Sequence, residues 1–128
     1  VIAVWDEYVL LAGDLARSDS EAWLRSAVSR AYYGAFNSAR RWVEANLGPI
    51  ENRAAHGQVW RAFKDSDRAS DGTRDIWQVI GELGNELRVL RNQADYDDGM
   101  FGLDRNAPEA VVRAKQILAL LPELKLAD

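Results

Sequence analysis

Apolar residues recur along this chain every three to four positions, and no useful length alternates with period two. The longest such stretch runs from Ser20 to Leu47, where Leu24, Val28, Ala31 or Tyr32, Ala35, Ala39 and Trp42 share one helical face. Asp19 or Ser20 is placed to cap its start, Glu21 suits the positive end of the helix dipole, and Gly48-Pro49 stops it. At 1.5 Å per residue the predicted rod is roughly 40 Å long, enough to cross a small domain. A second stripe of small residues, Ala27, Ala31, Gly34 and Ser38, lets another backbone come close. Beside it stand Tyr32 and Tyr33, about 100° apart around the helix. One ring can enter the core while the other faces a groove.

The same period predicts four further helices. Val4 to Ala16 presents Val4, Tyr8, Leu11 and Leu15 on one face, and the short link Arg17-Ser18-Asp19 makes it an antiparallel neighbour of the long helix. Ala55 to Asp65 offers Val59, Trp60 and Phe63, and the polar segment 66–72 reads as a loop. Thr73 to Ala94 is the second long helix, with Ile76, Val79 or Ile80, Leu83, Leu87, Leu90 or Arg91, and Ala94 in its core stripe. Gly81 and Gly84 each cost a helix roughly 1 kcal/mol relative to alanine, so they predict close packing, with the small stripe of the first long helix as partner. After an acidic loop at 97–104, Asn106 is expected to cap the last helix, with Glu109 at capping-box spacing and Pro122 near its end. The fold class predicted is all-α: a bundle of about five helices built on two long antiparallel ones.

Length and composition narrow the function classes. The chain has 128 residues, enough for one domain and one core, read here as a single domain over 1–128. With no cysteine it has no disulfide, thiol nucleophile or cysteine metal site, which fits a cytoplasmic protein. No apolar run approaches a membrane span and no signal-peptide pattern opens the chain, so no membrane role is expected. A net charge of −4, with the signs interspersed, argues against coating nucleic acid by bulk electrostatics.

Among polar residues Arg91 is the most informative. It lies beside the core stripe of the second long helix, where a guanidinium must snorkel outward or find an anion. Asp95 follows at i+4, so a structural ion pair and a functional site are both open readings. Arg91-Asn92 and Asp95-Tyr96-Asp97-Asp98 put a guanidinium, an amide, carboxylates and a phenol within about two helical turns.

Three segments carry a resemblance: Ser29-Arg30-Ala31-Tyr32-Tyr33-Gly34-Ala35-Phe36, then His56-Gly57 opening a helix that continues to Phe63, then Leu90-Arg91-Asn92-Gln93-Ala94-Asp95-Tyr96-Asp97. Taken in order they resemble the HEPN domain family of prokaryotes, in its small stand-alone branch with R-A-Y-Y and R-x-x-A-D-Y motifs. The resemblance extends from the first long helix to Asp98. It implies a helical bundle, a homodimer, and association with a minimal nucleotidyltransferase in toxin–antitoxin pairs. An RNA or nucleotide ligand is implied as well, with Arg30, Tyr33 and Asp95 as the ligand-binding candidates. Many family members are metal-independent ribonucleases marked by an arginine, a polar residue and then a histidine four to six intervening residues after the arginine. Arg91 and Asn92 match the first two positions, but Tyr96 stands where the histidine belongs and positions 97 and 98 are aspartate. Arg91, Asn92 and Tyr96 are therefore the catalytic candidates of a degenerate motif, because a phenol does not shuttle protons near neutral pH as an imidazole does. A tyrosine that some toxins carry for modification by their partner falls at Asp98, so that role does not transfer.

The only histidine, His56, is read as a helix-start residue that bonds locally or faces solvent, rather than as an acid–base group. The five tryptophans, Trp5, Trp23, Trp42, Trp60 and Trp77, are read as core or interface rather than as base-stacking platforms. No His pair or Glu-x-x-His spacing offers a metal site, and no cofactor is expected. The function expected is a partner-dependent HEPN-like protein without ribonuclease turnover of its own. The alternatives are an endoribonuclease using Arg91 and Asn92, and a nucleotide-binding module.

Overall fold

A computed structural model describes residues 3–65 and 67–128 of the chain. Its helices are α1 (Val4–Leu15), α2 (Glu21–Asn46), α3 (Ala55–Lys64), α4 (Arg74–Tyr96) and α5 (Leu103–Leu120). Single 3-10 turns at Asn52–Ala54 and Leu121–Glu123 precede α3 and follow α5. No strand occurs among the described residues; one isolated bridge joins Ala69 to Leu126. The fold is an all-α helical bundle. Of the expected 66–72 loop, Ser66 lies outside the described residues.

The predicted long helix α2 is the centre of the bundle and touches all four other helices. Leu24, Ala27, Val28, Ala31, Tyr32, Ala35, Phe36, Ala39 and Val43 are all buried along it, a wide apolar stripe of the kind a central helix needs. It ends where expected. Gly48 takes a φ of +131°, open to glycine and hard for other residues, and its N–H bonds back to the Val43 carbonyl. At the other end Ser20 occupies the cap position, but its side chain makes no capping bond.

Three local expectations are corrected. The first is the face of α1: Val9 and Ala12 are buried, whereas Val4 and Leu11 are 48% and 43% exposed. The reason is Gly34 of α2, where an added Cβ would stand 2.6 Å from Val9 Cγ2 and 2.8 Å from the Trp5 carbonyl oxygen. That close approach selects the Trp5–Val9–Ala12 side of α1 and pushes the larger residues to the rim. The second is the partner of Gly81 and Gly84, which pack on α3 rather than on α2. A Cβ at Gly84 would fall 2.1–2.5 Å from three ring atoms of Trp60, and one at Gly81 would fall 2.3 Å from Lys64 Cγ. The two glycines make room for a buried indole. The third is the start of α5, one turn before Asn106. Gly102 at φ +70° turns the chain, Leu103 enters the core, and Asn106 lies inside the helix and donates to the Phe101 carbonyl. Glu109 pairs along the helix with Arg113 at 3.9 Å instead of capping it.

Trp60 and Trp77 are fully buried and Trp42 packs edge-on against Trp77, with ring centroids 5.0 Å apart. Trp23 lies outside the core and is 57% exposed. Among the described residues, no helix is long and apolar enough to cross a membrane.

Candidate functional site

Helices α2 and α4 pack against each other, which brings the middle of one opposite the last turns of the other. Tyr33 of α2 thereby meets Arg91 of α4: Arg91 Nη2 donates to the Tyr33 hydroxyl, and its guanidinium carbon stands 4.9 Å from the Tyr33 ring centroid. The helix continues two residues beyond Ala94, so Asp95 falls one turn above Arg91 on the same face. Nε of Arg91 lies 2.9 Å from Asp95 Oδ2, but its hydrogen does not point at that oxygen. The pair is therefore an ionic contact, not an aligned hydrogen bond. Nη1 donates to Asn92 Oδ1 at 3.0 Å, and Nη2 reaches the Tyr96 hydroxyl at 3.4 Å. Ser29 Oγ donates to Asp95 Oδ2 at 3.3 Å. Arg91, Asn92, Tyr96, Tyr33 and Asp95 thus form one cluster. Tyr96 itself is 71% exposed.

Arg30 stands apart from that cluster. It lies over the Tyr8 ring, 5.5 Å from its centroid, and lines an open groove of about 650 Å³ between α1, α2 and the end of α4. Tyr33 and Asp95 line the same groove with Trp5, Tyr8 and Asn37, whereas Arg91, Asn92 and Tyr96 do not. The three ligand-binding candidates therefore share a concavity, and Arg91 communicates with it through Tyr33 and Asp95.

Two residues gain a part that the sequence reading did not give them. Arg25, on the same stripe of α2 as Ser29 and Tyr33, clamps the end of α4. Its Nη1 donates to the carbonyls of Ala94 (2.9 Å) and Asp97 (2.7 Å), and Nη2 donates to that of Asp98 (3.1 Å). A cation against the negative end of a helix dipole is well placed. The available signal was the i, i+4, i+8 register of Arg25, Ser29 and Tyr33.

His56 is the second. Its ring is half-buried, stacked on Phe36 with centroids 4.2 Å apart, and its Nδ1 lies 2.7 Å from the Tyr32 hydroxyl. It is neither a local bond nor a solvent-facing group. Burial holds its pKa below the ordinary histidine value, and the positive charges of Arg88, Arg91 and Arg40 act in the same direction. Burial likewise pushes the Tyr32 phenol up to about 12, partly offset by the hydrogen bond from Trp60 and by Arg88 and Arg91. Both groups are thus kept neutral near pH 7.

Among the described residues no three His, Asp or Glu side chains converge to hold a metal ion. Comparison with known proteins gives no match: no family model, no curated protein and no solved structure.

Proposed function

We propose that this chain is a HEPN-like helical module that acts through a partner, as one component of a nucleotidyltransferase-linked toxin–antitoxin pair, and has little or no ribonuclease turnover. Support for the family reading comes from the R-A-Y-Y and R-x-x-A-D-Y segments meeting in space: Tyr33 bonds Arg91, and Ser29 bonds Asp95. The observation that carries the functional reading is the state of Arg91. Its two terminal nitrogens donate within the chain, to Asn92 and to Tyr33 with Tyr96, and its Nε lies in ionic contact with Asp95. A guanidinium held in this way orders the end of α4 rather than waiting for a developing phosphorane. Its neighbours present a shaped surface of phenols, an amide and carboxylates, suited to recognition.

The molecule also exposes Trp23, Leu10 and Leu11, apolar area that fits a two-fold homodimer in the cytoplasm. A nucleotide or RNA strand in the Arg30–Tyr33–Asp95 groove is the ligand this reading accommodates. One observation favours the ribonuclease alternative: His56, the only imidazole, lies within the same aromatic cluster, its ring 6.1 Å from that of Tyr33.

Co-expression with the nucleotidyltransferase-like product of an adjacent gene is the test. Co-elution that is lost on Arg91→Ala or Tyr96→Ala supports the partner reading. An adjacent gene of that type whose product never associates, together with a monomer mass by light scattering, would overturn it.

A further inference from the structure

On the other side of His56 from the groove, α3 and α4 run past each other in a regular ladder. Lys64 meets Gly81, Trp60 meets Gly84, and one turn further Gly57 meets Arg88. A methyl group at Gly57 would stand 3.6 Å from Arg61 Nη2 and 3.7 Å from Arg88 Nη1. One guanidinium nitrogen of each arginine therefore borders the space left by a residue without a side chain. Like charges this close repel unless an anion lies between them. Several arginines nearby have a carboxylate: Arg25 has Glu21, Arg40 has Glu44, and Arg91 has Asp95. Among the described residues Arg61 and Arg88 have none, and neither donates a hydrogen bond to them. Arg61 is exposed and Arg88 half-buried, so the point between them is open to solvent on one side.

We propose that Gly57, Arg61 and Arg88 form a binding site for a phosphate group. Two guanidinium groups beside one open space suit a tetrahedral dianion, which can accept N–H bonds from each. A monocarboxylate would neutralise only one of the two charges. The positive potential also registers on the neighbouring imidazole, where Arg88, Arg91 and Arg40 all disfavour the protonated form. None of the three residues takes part in the partner reading, so the site stands or falls separately from it.

His56 supplies the probe, since an untagged chain has one imidazole and hence one Hε1 resonance. Its pH midpoint would be followed by NMR in inorganic phosphate, in AMP, and in sodium chloride at matched ionic strength. Phosphate bound between the arginines is expected to raise the proton affinity of His56 about tenfold over chloride. A response to AMP at lower concentration than to phosphate assigns the site to a nucleotide, and an equal response assigns it to the free anion. Gly57→Ala retains every charge and introduces only ordinary contacts, in a helix that favours alanine. It fills the space that Gly57 leaves and is expected to weaken phosphate binding at least about tenfold, with melting temperature unchanged or raised. Arg88→Met is expected to abolish the phosphate response. A phosphate effect no larger than that of chloride, or both variants responding like the parent, would overturn the proposal.

Discussion

The Tyr32 hydroxyl stands 2.7 Å from Nδ1 of His56, tying α2 to the start of α3 across 24 residues of sequence. The same hydroxyl accepts a bond from Trp60 Nε1 at 3.2 Å. An indole N–H only donates, so the hydroxyl spends one lone pair there and keeps its hydrogen and its second lone pair for Nδ1. Burial, with the charges of Arg88, Arg91 and Arg40, keeps His56 neutral near pH 7. The three side chains form a short chain of hydrogen bonds that joins α2 to α3 at two points.

The pH dependence follows in sign. His56 binds a proton less readily when folded than the ordinary value of about 6.5 for an unfolded chain. Below that value the unfolded state takes up a proton that the folded state refuses, so stability falls as pH drops through about 6.5 and levels off below the folded midpoint. Thermal melts between pH 7.5 and 5.5 should show a decline in the parent that is absent in His56→Gln. Identical profiles would contradict the neutral assignment. At the alkaline end Tyr32 titrates only near 12, so stability should be lost progressively above about pH 10.

The glycines of α4 give a test of packing. In an exposed helix Gly→Ala adds roughly 1 kcal/mol of stability. At Gly84 the added methyl would overlap the buried Trp60 ring, and overpacking of this kind typically costs about 1–3 kcal/mol. The overlap wins because three ring atoms are involved and the indole cannot move away. Gly84→Ala should therefore lower stability by about 2 kcal/mol and alter tryptophan fluorescence, as read by denaturant unfolding. A neutral or stabilising result would mean that α3 does not sit on α4 in this way.

Those glycines also mark how far the sequence could be read. Helical spacing at Leu24, Val28, Ala35 and Ala39 reports burial directly, so the helices and the spine were legible. The meeting of Tyr33 and Arg91 was legible too, because antiparallel packing sets mid-helix against late helix. A glycine, by contrast, announces a close approach without naming the partner, and only the bulk of Trp60 decides it. On α1, apolar residues occur on two sides, so periodicity alone could not choose between Val4–Leu11 and Val9–Ala12. Asn106 offered a local capping signal that the burial of Leu103 outweighs. Arg25, with Glu21 at i−4, has the look of a solvated pair; its true targets are carbonyls 69–73 positions away, beyond any local pattern.

Arg25 itself should matter to local order. Four charge-assisted bonds to carbonyls of 93–98, the longest at 3.4 Å, are lost in Arg25→Met, while the aliphatic stem and its packing are largely kept. Hydrogen bonds from charged groups contribute about 1.5–3 kcal/mol each at most, and water replaces part of the loss at this rim. We expect a drop of about 2 kcal/mol in global stability. Faster amide exchange should appear at 94–98 before it appears in the core. Unchanged protection of that segment would show that Arg25 is a bystander.

Activity on RNA is the sharpest test of what Arg91 is for. Metal-independent cleavage needs a base for the 2′-hydroxyl proton, an acid for the leaving oxygen, and a cation for the phosphorane. Arg91 is the cation at hand, but its nitrogens are committed to Asp95, Asn92, Tyr33 and Tyr96. Tyr96 stands where the ribonuclease motif that this chain resembles has its histidine, and the one imidazole is tied through Nδ1 to Tyr32. Loss of a positioned acid–base group costs roughly a hundredfold to ten-thousandfold in rate. Purified chain incubated with total RNA in chelator should therefore leave the RNA intact, and Arg91→Ala should change stability rather than turnover. If fragments appear and vanish in Arg91→Ala, the cage around Arg91 opens on substrate and the enzyme reading displaces the partner one. His56→Ala then decides the mechanism: cleavage lost there as well would make the imidazole the missing acid–base group, reached through its free Nε2.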